Sequence, residues 1–293
     1  MLSTVRPMTI RQNALRTKAL LLAAMACGAP AAAWAEPADT YYERAFVVAA
    51  DARCDLFAPQ VGAALTAATA QARGAALRSG AAETDLKAVA ARARARAEAV
   101  SCADPQLATV RQRVDGAFSG WTRTPRMTFP GDARPWIADR TAWTRPGWRL
   151  RQASTVGVSP VTFGYGGEAG GSALTAVVSF VGRSRPNAAR LVFRDEARAP
   201  RAWLSGKGLA PASSRASVWA TAVSAADPAL LEDGRRSGQA WRFPASAADR
   251  LARLDPRETF LVEFHFRDGS VAAARFEAGD FAAGRAFMAM GAL

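Results

Sequence analysis

The chain has little of what most catalytic centres are built from. His265 is its only histidine, so a histidine-ligated metal cluster is excluded, as are Ser-His-Asp triads at more than one place. Cysteine occurs only at 27, 54 and 102, lysine only at 18, 87 and 207, and asparagine is nearly absent. Two lone cysteines in the body of the chain lack the third and fourth ligands that zinc needs. No apolar run approaches the roughly 20 residues of a membrane-spanning helix. There is no metal or cofactor motif, and we expect neither. The basic residues are almost all arginine and alanine is everywhere, a pattern that GC-rich bacterial codon usage explains without function.

What is present begins at the N-terminus. Arg6, Arg11, Arg16 and Lys18 form a basic head, residues 19–26 a short apolar run, and Ala33-Trp34-Ala35 ahead of Glu36 a small-x-small cleavage site. This pattern predicts a secretory signal peptide over 1–35 and a periplasmic protein. An uncleaved anchor is the alternative for this segment, and the run is too short for it. Ala24-Met25-Ala26-Cys27 leaves a second alternative, a lipoprotein attached through Cys27, although the usual Leu three residues before the cysteine is missing. Without residues 1–35 the chain keeps 34 basic against 25 acidic residues. That balance favours an anionic envelope component or an acidic envelope protein as partner, and export argues against nucleic acid. Cys54 and Cys102 then remain as an even pair, read as a disulfide in an oxidising compartment, with two buried thiols as the alternative.

Residues 36–121 carry helical periodicity. Thr40 and Glu43 have capping-box spacing, and Phe46, Ala50, Cys54 and Phe57 share a face. Pro59 opens a second helix with the stripe Val61, Leu65, Ala68 and Ala72. A third begins near Thr84 or Asp85 with Leu86, Val89, Ala93 and Ala97 inward. Asp104-Pro105 starts a fourth, along Leu107, Val110, Val114, Phe118 and Trp121. Residues 122–147, with Pro125, Pro130, Pro135 and Pro146, keep no period and read as a linker or strap lying against one of the domains. From 148 to 293 short alternating segments predict strands: Val161, Phe163 and Tyr165; Leu174 to Phe180; 188–194; 216–223; 239–243; and Phe260 to Phe266. Asp268-Gly269 reads as a two-residue hairpin turn, with a return strand over 270–277, a short helix over 246–254 and a last helix from Asp280. The expected fold is α+β: an N-terminal disulfide-tied helical bundle, then a β-sandwich or partly closed barrel with a C-terminal helix.

Candidate sites are few. Trp121, Trp136, Trp143 and Trp148 with Arg134 and Arg145 offer a stacking and cation–π surface for a glycan, an anionic headgroup or a protein partner; equally, the rings fill a seam between domains. Strand alternation sets His265 beside Glu263 and Arg267, opposite the Phe stripe, with Ala272 across from it and no nucleophile near. Gly164, Gly166, Gly167, Gly170 and Gly171 read as a flexible hairpin loop, or as a flap over a ligand. Ser205-Gly206-Lys207-Gly208 reads as a surface loop rather than a phosphate cradle or a Ser-Lys pair. Glu263, Glu277 and Asp280 fall to surface or capping roles.

The C-terminal run Val262-Glu263-Phe264-His265-Phe266-Arg267-Asp268-Gly269, then Ala274-Arg275-Phe276, then Gly279-Asp280-Phe281-Ala282-Ala283 resembles the end of the periplasmic invasion-associated locus B family of alphaproteobacterial proteins. The resemblance covers about 30 residues. The cysteines of that family's β-domain are absent here, and the helical part has no counterpart in it. The resemblance implies a non-enzymatic envelope protein and carries over no functional residue. The sequence therefore favours a periplasmic interaction or adaptor protein. A ligand-binding protein for a glycan or anionic lipid headgroup is the alternative, and a hydrolase of unusual design the third reading. It states no oligomeric state.

Overall fold

Among the described residues four helices come first: α1 Pro37–Cys54, α2 Pro59–Arg78, α3 Glu83–Ala99 and α4 Pro105–Thr122. The computed structural model describes residues 37–167, 171–182, 184–206 and 208–293, without the side chains of 142 and 143. The signal segment, Cys27, Gly170, Lys207 and the Trp143 side chain lie outside the described residues. Asp104 caps α4 as its sequence implies, accepting from the Gln106 amide at 2.8 Å, with Pro105 in the first turn. The capping box at Thr40 does not form. The helix starts three residues earlier at Pro37, whose fixed φ suits a first turn, and Thr40 lies inside it. Cys54 at the end of α1 and Cys102 after α3 are joined, with Cα atoms 5.5 Å apart. Alanine faces bury little area per helix, so the covalent tie supplies what packing does not.

Among the described residues eleven strands follow, in two antiparallel sheets. The larger has the order β1-β2-β3-β4-β5-β9-β8 and the smaller β11-β10-β6-β7. The strands are β1 Arg126–Phe129, β2 Trp136–Asp139, β3 Gly147–Val156, β4 Ser159–Gly167, β5 Ala173–Val178, β6 Ala188–Arg194, β7 Arg215–Trp219, β8 Ala222–Ala225, β9 Gln239–Phe243, β10 Thr259–His265 and β11 Val271–Glu277. Neither sheet closes into a barrel. Their inner faces meet around Phe163, whose ring lies 5.2 Å from Phe260 and 5.5 Å from Phe276. Helix α5 (Ala245–Arg253) and helix α6 (Phe281–Met288) complete the chain. Ala64, Leu65 and Ala68 of α2, Phe281 and Phe287 of α6 and the inner strand residues belong to one continuous core. Two contacts let α6 sit that close. A side chain at Gly74 of α2 would strike Asp280, and one at Gly284 would strike Leu150. Among the described residues no helix is long and apolar enough to cross a membrane.

Several expectations change. The strap 122–147 supplies β1 and β2, which pair with each other and then with β3. Four-residue strands are too short to show a period of two. The segment 216–223 is not one strand: β7 ends the small sheet at Trp219 and β8 joins the large one at Ala222. Gly164, Gly166 and Gly167 are not a loop but the end of β4. A Cβ at Gly164 would meet the Leu150 carbonyl oxygen, and one at Gly166 the Trp148 ring. The hairpin turn spans three residues, since Phe266 N–H donates to Ser270 O and Gly269 N–H to Phe266 O, with Gly269 at φ 81°. The extra residue moves the register by one, so Val271 rather than Ala272 faces His265.

Candidate interaction surface

The Trp and Arg residues of the strap do not form one surface. Trp136 is fully buried. Its Nε1 donates to the carbonyls of Glu277 (3.1 Å) and Ala278 (3.0 Å), and its ring packs 4.9 Å from Phe281. Trp148 is half-buried on the outer face of the large sheet, donating to Leu230 O at 3.0 Å. It is there because a bulge between Trp148 and Leu150 inverts the alternation, sending Leu150 inward. Arg134 is spent on Ser154 Oγ and Arg275 O. Trp121 packs edge-on against Phe118 at the end of α4, and Arg145 is exposed.

The buried charges are also spent. Glu258 accepts from Arg194 through both oxygens (2.6 and 2.8 Å) and from the amides of Trp203 and Asp255, which pins the long connection after β6. Asp280 does not cap α6 with its side chain. Its carboxylate is buried and pairs with Arg78 of α2 at 2.6 and 3.1 Å. Glu277 is buried too, accepting from the amides of Ala133 and Arg134. Glu277 and Asp280 therefore hold the strap and α2 in place rather than lying on the surface. Arg140 is buried without a carboxylate. It donates to Trp121, Thr122 and Thr124 carbonyls at the end of α4 and to Met290 and Gly291 carbonyls past α6. A guanidinium is favoured there because both helices present their negative ends. Among the described residues no three His, Cys, Asp or Glu side chains are grouped to hold a metal ion.

Among the described residues an array that reaches solvent lies on the outer face of the small sheet. Register sets Glu263 of β10 beside Arg190 of β6, and Arg190 beside Trp219 of the edge strand β7. Arg190 Nε donates to Glu263 Oε2 at 2.7 Å, and its guanidinium lies 5.3 Å from the Trp219 ring centre. The His265 ring is 5.1 Å from Trp219 at 51°, with Nε2 3.6 Å from Glu263 Oε2 and without a hydrogen-bond partner. Trp219 is 48% exposed, and Val271 across from His265 equally so. The partly buried Arg190–Glu263 pair contributes about 1 kcal/mol, and the cation–π contact about as much. Arg190 and His265 both lie against the indole. Sequence reasoning placed His265 and Glu263 on this face but missed Trp219 and Arg190. The signal was available in the sheet alternation, but only once β6, β7 and β10 were known to be neighbours.

Fold and surface together define an α+β protein with a disulfide-tied helical part, two open antiparallel sheets and an aromatic and charged patch on the outer face of one sheet. No protein-family model matches the chain, and neither a curated protein nor a solved structure matches it.

Proposed function

We propose that this is an exported, non-enzymatic interaction protein of the cell envelope, working in the periplasm and docking a partner protein through the patch around Trp219. The observation that carries the reading is the large indole left half exposed on the outer face of the small sheet, with Arg190 and His265 against it. Trp and Arg are the residues that most often dominate binding energy. An exposed aromatic patch suits a protein surface, whereas small ligands take concave sites. The cleavage-site pattern at 33–36 and the Cys54–Cys102 bridge support an oxidising compartment. The C-terminal resemblance to the invasion-associated locus B family supports an envelope location, and the face-to-face sheets are read as a sandwich-like scaffold for the patch.

The test compares what co-purifies, after in-cell crosslinking, with tagged wild type and with Trp219→Ala. One dominant envelope protein, retained at high salt with wild type and lost with the variant, is the expected result. The same protein recovered equally with both contradicts the assignment of the patch.

A further inference from the structure

The two edges of the small sheet are finished differently. Its order β11-β10-β6-β7 leaves β11 and β7 at the ends. Edge β11 is closed by side chains of the strap and of β3. Glu277 N–H donates to Gln152 Oε1 at 2.8 Å, and Arg275 O accepts from Arg134 Nη1 at 2.8 Å and from Ser154 Oγ at 2.6 Å. At the two ends of the β6–β7 ladder, Ala220 N–H donates to Ala189 O and Asp195 N–H to Ser214 O. The register between them is unbroken. In an antiparallel pair the hydrogen-bonded positions alternate. Ala216 and Val218 therefore bond to β6, and the N–H and C=O groups of Ser217 and Trp219 point away from it. None of these four groups has a hydrogen-bond partner among the described residues, and both residues are exposed.

Donor and acceptor pairs repeating about every 7 Å along a strand are matched by another extended backbone. Bare sheet edges are the sites where partner strands add. The five residues of β7 include no proline and no bulge, two of the devices that keep an edge single. The flanking side chains select the incoming strand. Ala216 and Val218 pack on the core, so inward residues of an added strand would meet aliphatic neighbours. Outward residues would lie beside Trp219 and Arg215. Arg215 Nε donates to Ala210 O, and its guanidinium has no carboxylate partner among the described residues. The balance of 34 basic against 25 acidic residues after position 35 favours an acidic partner and works against pairing two copies of this chain. We infer that the partner docks by strand addition: an extended segment of another protein, alternating aliphatic and acidic residues, pairs its backbone with Ser217 and Trp219 of β7. This rests on the reading of the Trp219 patch as a docking site and specifies the form in which the partner binds there.

The probe is a dye-labelled seven-residue peptide alternating valine and aspartate, titrated by fluorescence anisotropy into the full oxidised chain, with amide hydrogen exchange as a second readout. Saturable binding and slowed exchange of the Ser217 and Trp219 amides are expected. Methylating the peptide's amide nitrogens, or replacing its aspartates by lysines, should weaken binding at least about tenfold. Ser217→Pro removes an outward N–H without touching the β6 ladder, at an edge position that proline tolerates, and should weaken binding by a similar factor. Ala225→Pro, at an outward amide of β8 on the edge of the large sheet, should bind as wild type. Near-ultraviolet circular dichroism is the fold control for both variants. Absence of saturable binding, undiminished binding of the methylated peptide, or undiminished binding by folded Ser217→Pro would overturn strand addition. Undiminished binding of the lysine peptide would overturn the acidic preference. A wild-type dimer that Ser217→Pro dissociates would make a second copy the occupant and overturn the choice of partner. The patch reading fails separately, when Trp219→Ala still captures the envelope partner as wild type does.

Discussion

Replacing Trp136 separates a structural tryptophan from a recognition tryptophan. The ring has no solvent exposure. A buried Trp removes about 150–250 Å² from water, which at about 25 cal/mol per Å² amounts to roughly 4–6 kcal/mol. Large-to-Ala core changes commonly cost about 3–5 kcal/mol because the site partly collapses. The shared hydrogen bond from Nε1 to Glu277 and Ala278 carbonyls adds about 1 kcal/mol. Trp136→Ala should therefore lose about 4–6 kcal/mol, and Trp136→Phe, which keeps most of the ring, about 1–2 kcal/mol. The assay is urea unfolding of the oxidised protein followed by far-ultraviolet circular dichroism. Trp219→Ala is the control, expected to lose only about 1–2 kcal/mol, because its ring is half exposed and gives up the cation–π contact with Arg190. If Trp136→Ala costs under about 1 kcal/mol, or no more than Trp219→Ala, the core placement of the strap is refuted.

Three more outcomes are expected. Arg140→Met strands carbonyls at the ends of α4 and α6 and should cost roughly 3–5 kcal/mol in the same unfolding assay; a loss under about 1 kcal/mol would mean water replaces the guanidinium freely. The double change Cys54→Ser and Cys102→Ser opens a loop with sequence separation 48 and should cost about 4 kcal/mol, with an unchanged midpoint ruling out the bridge as a stabiliser. For pH, burial acts to raise Asp139 and Asp255, but the hydrogen bonds and charge of Arg126 with Thr141, and of Arg257, outweigh it and hold both carboxyls below their ordinary 3.8. Their stabilisation is complete above that value and is lost as pH falls through the lower folded values, so acid unfolding should set in below the ordinary carboxylate range. Asp280 acts in the opposite sense: burial raises it despite Arg78, so its ionisation costs stability as pH rises through its folded value. Asp255→Asn should flatten the acid limb, and a limb of wild-type slope would show that this carboxyl does not contribute.

Much of the architecture is legible in the residues. Helices α2 and α4 start where Pro59 and Asp104-Pro105 set them, and the Phe stripe of β10 faces the core as its alternation requires. The failures share a cause, in that long-range pairing overrode local pattern. The strap looked aperiodic because β1 and β2 are four residues each and draw their order from β3. Trp148 and Leu150 fall on opposite faces only because of a bulge. The turn at Gly269 takes one more residue than Asp-Gly alone implies, which shifts the partners of His265. Arg140 carries no sequence mark at all, since its role exists only where the ends of α4 and α6 converge. The patch is similar: Arg190, Trp219 and Glu263 are far apart in the chain, and the small sheet brings them side by side.

The most direct test of the central claim places a photo-reactive phenylalanine analogue at position 219 and, as a control, at the more accessible turn residue Val158, which is 73% exposed. Irradiation of intact cells should join one envelope protein to position 219 and not to position 158. Equal labelling at both positions, or none at 219, would contradict the patch as the docking surface.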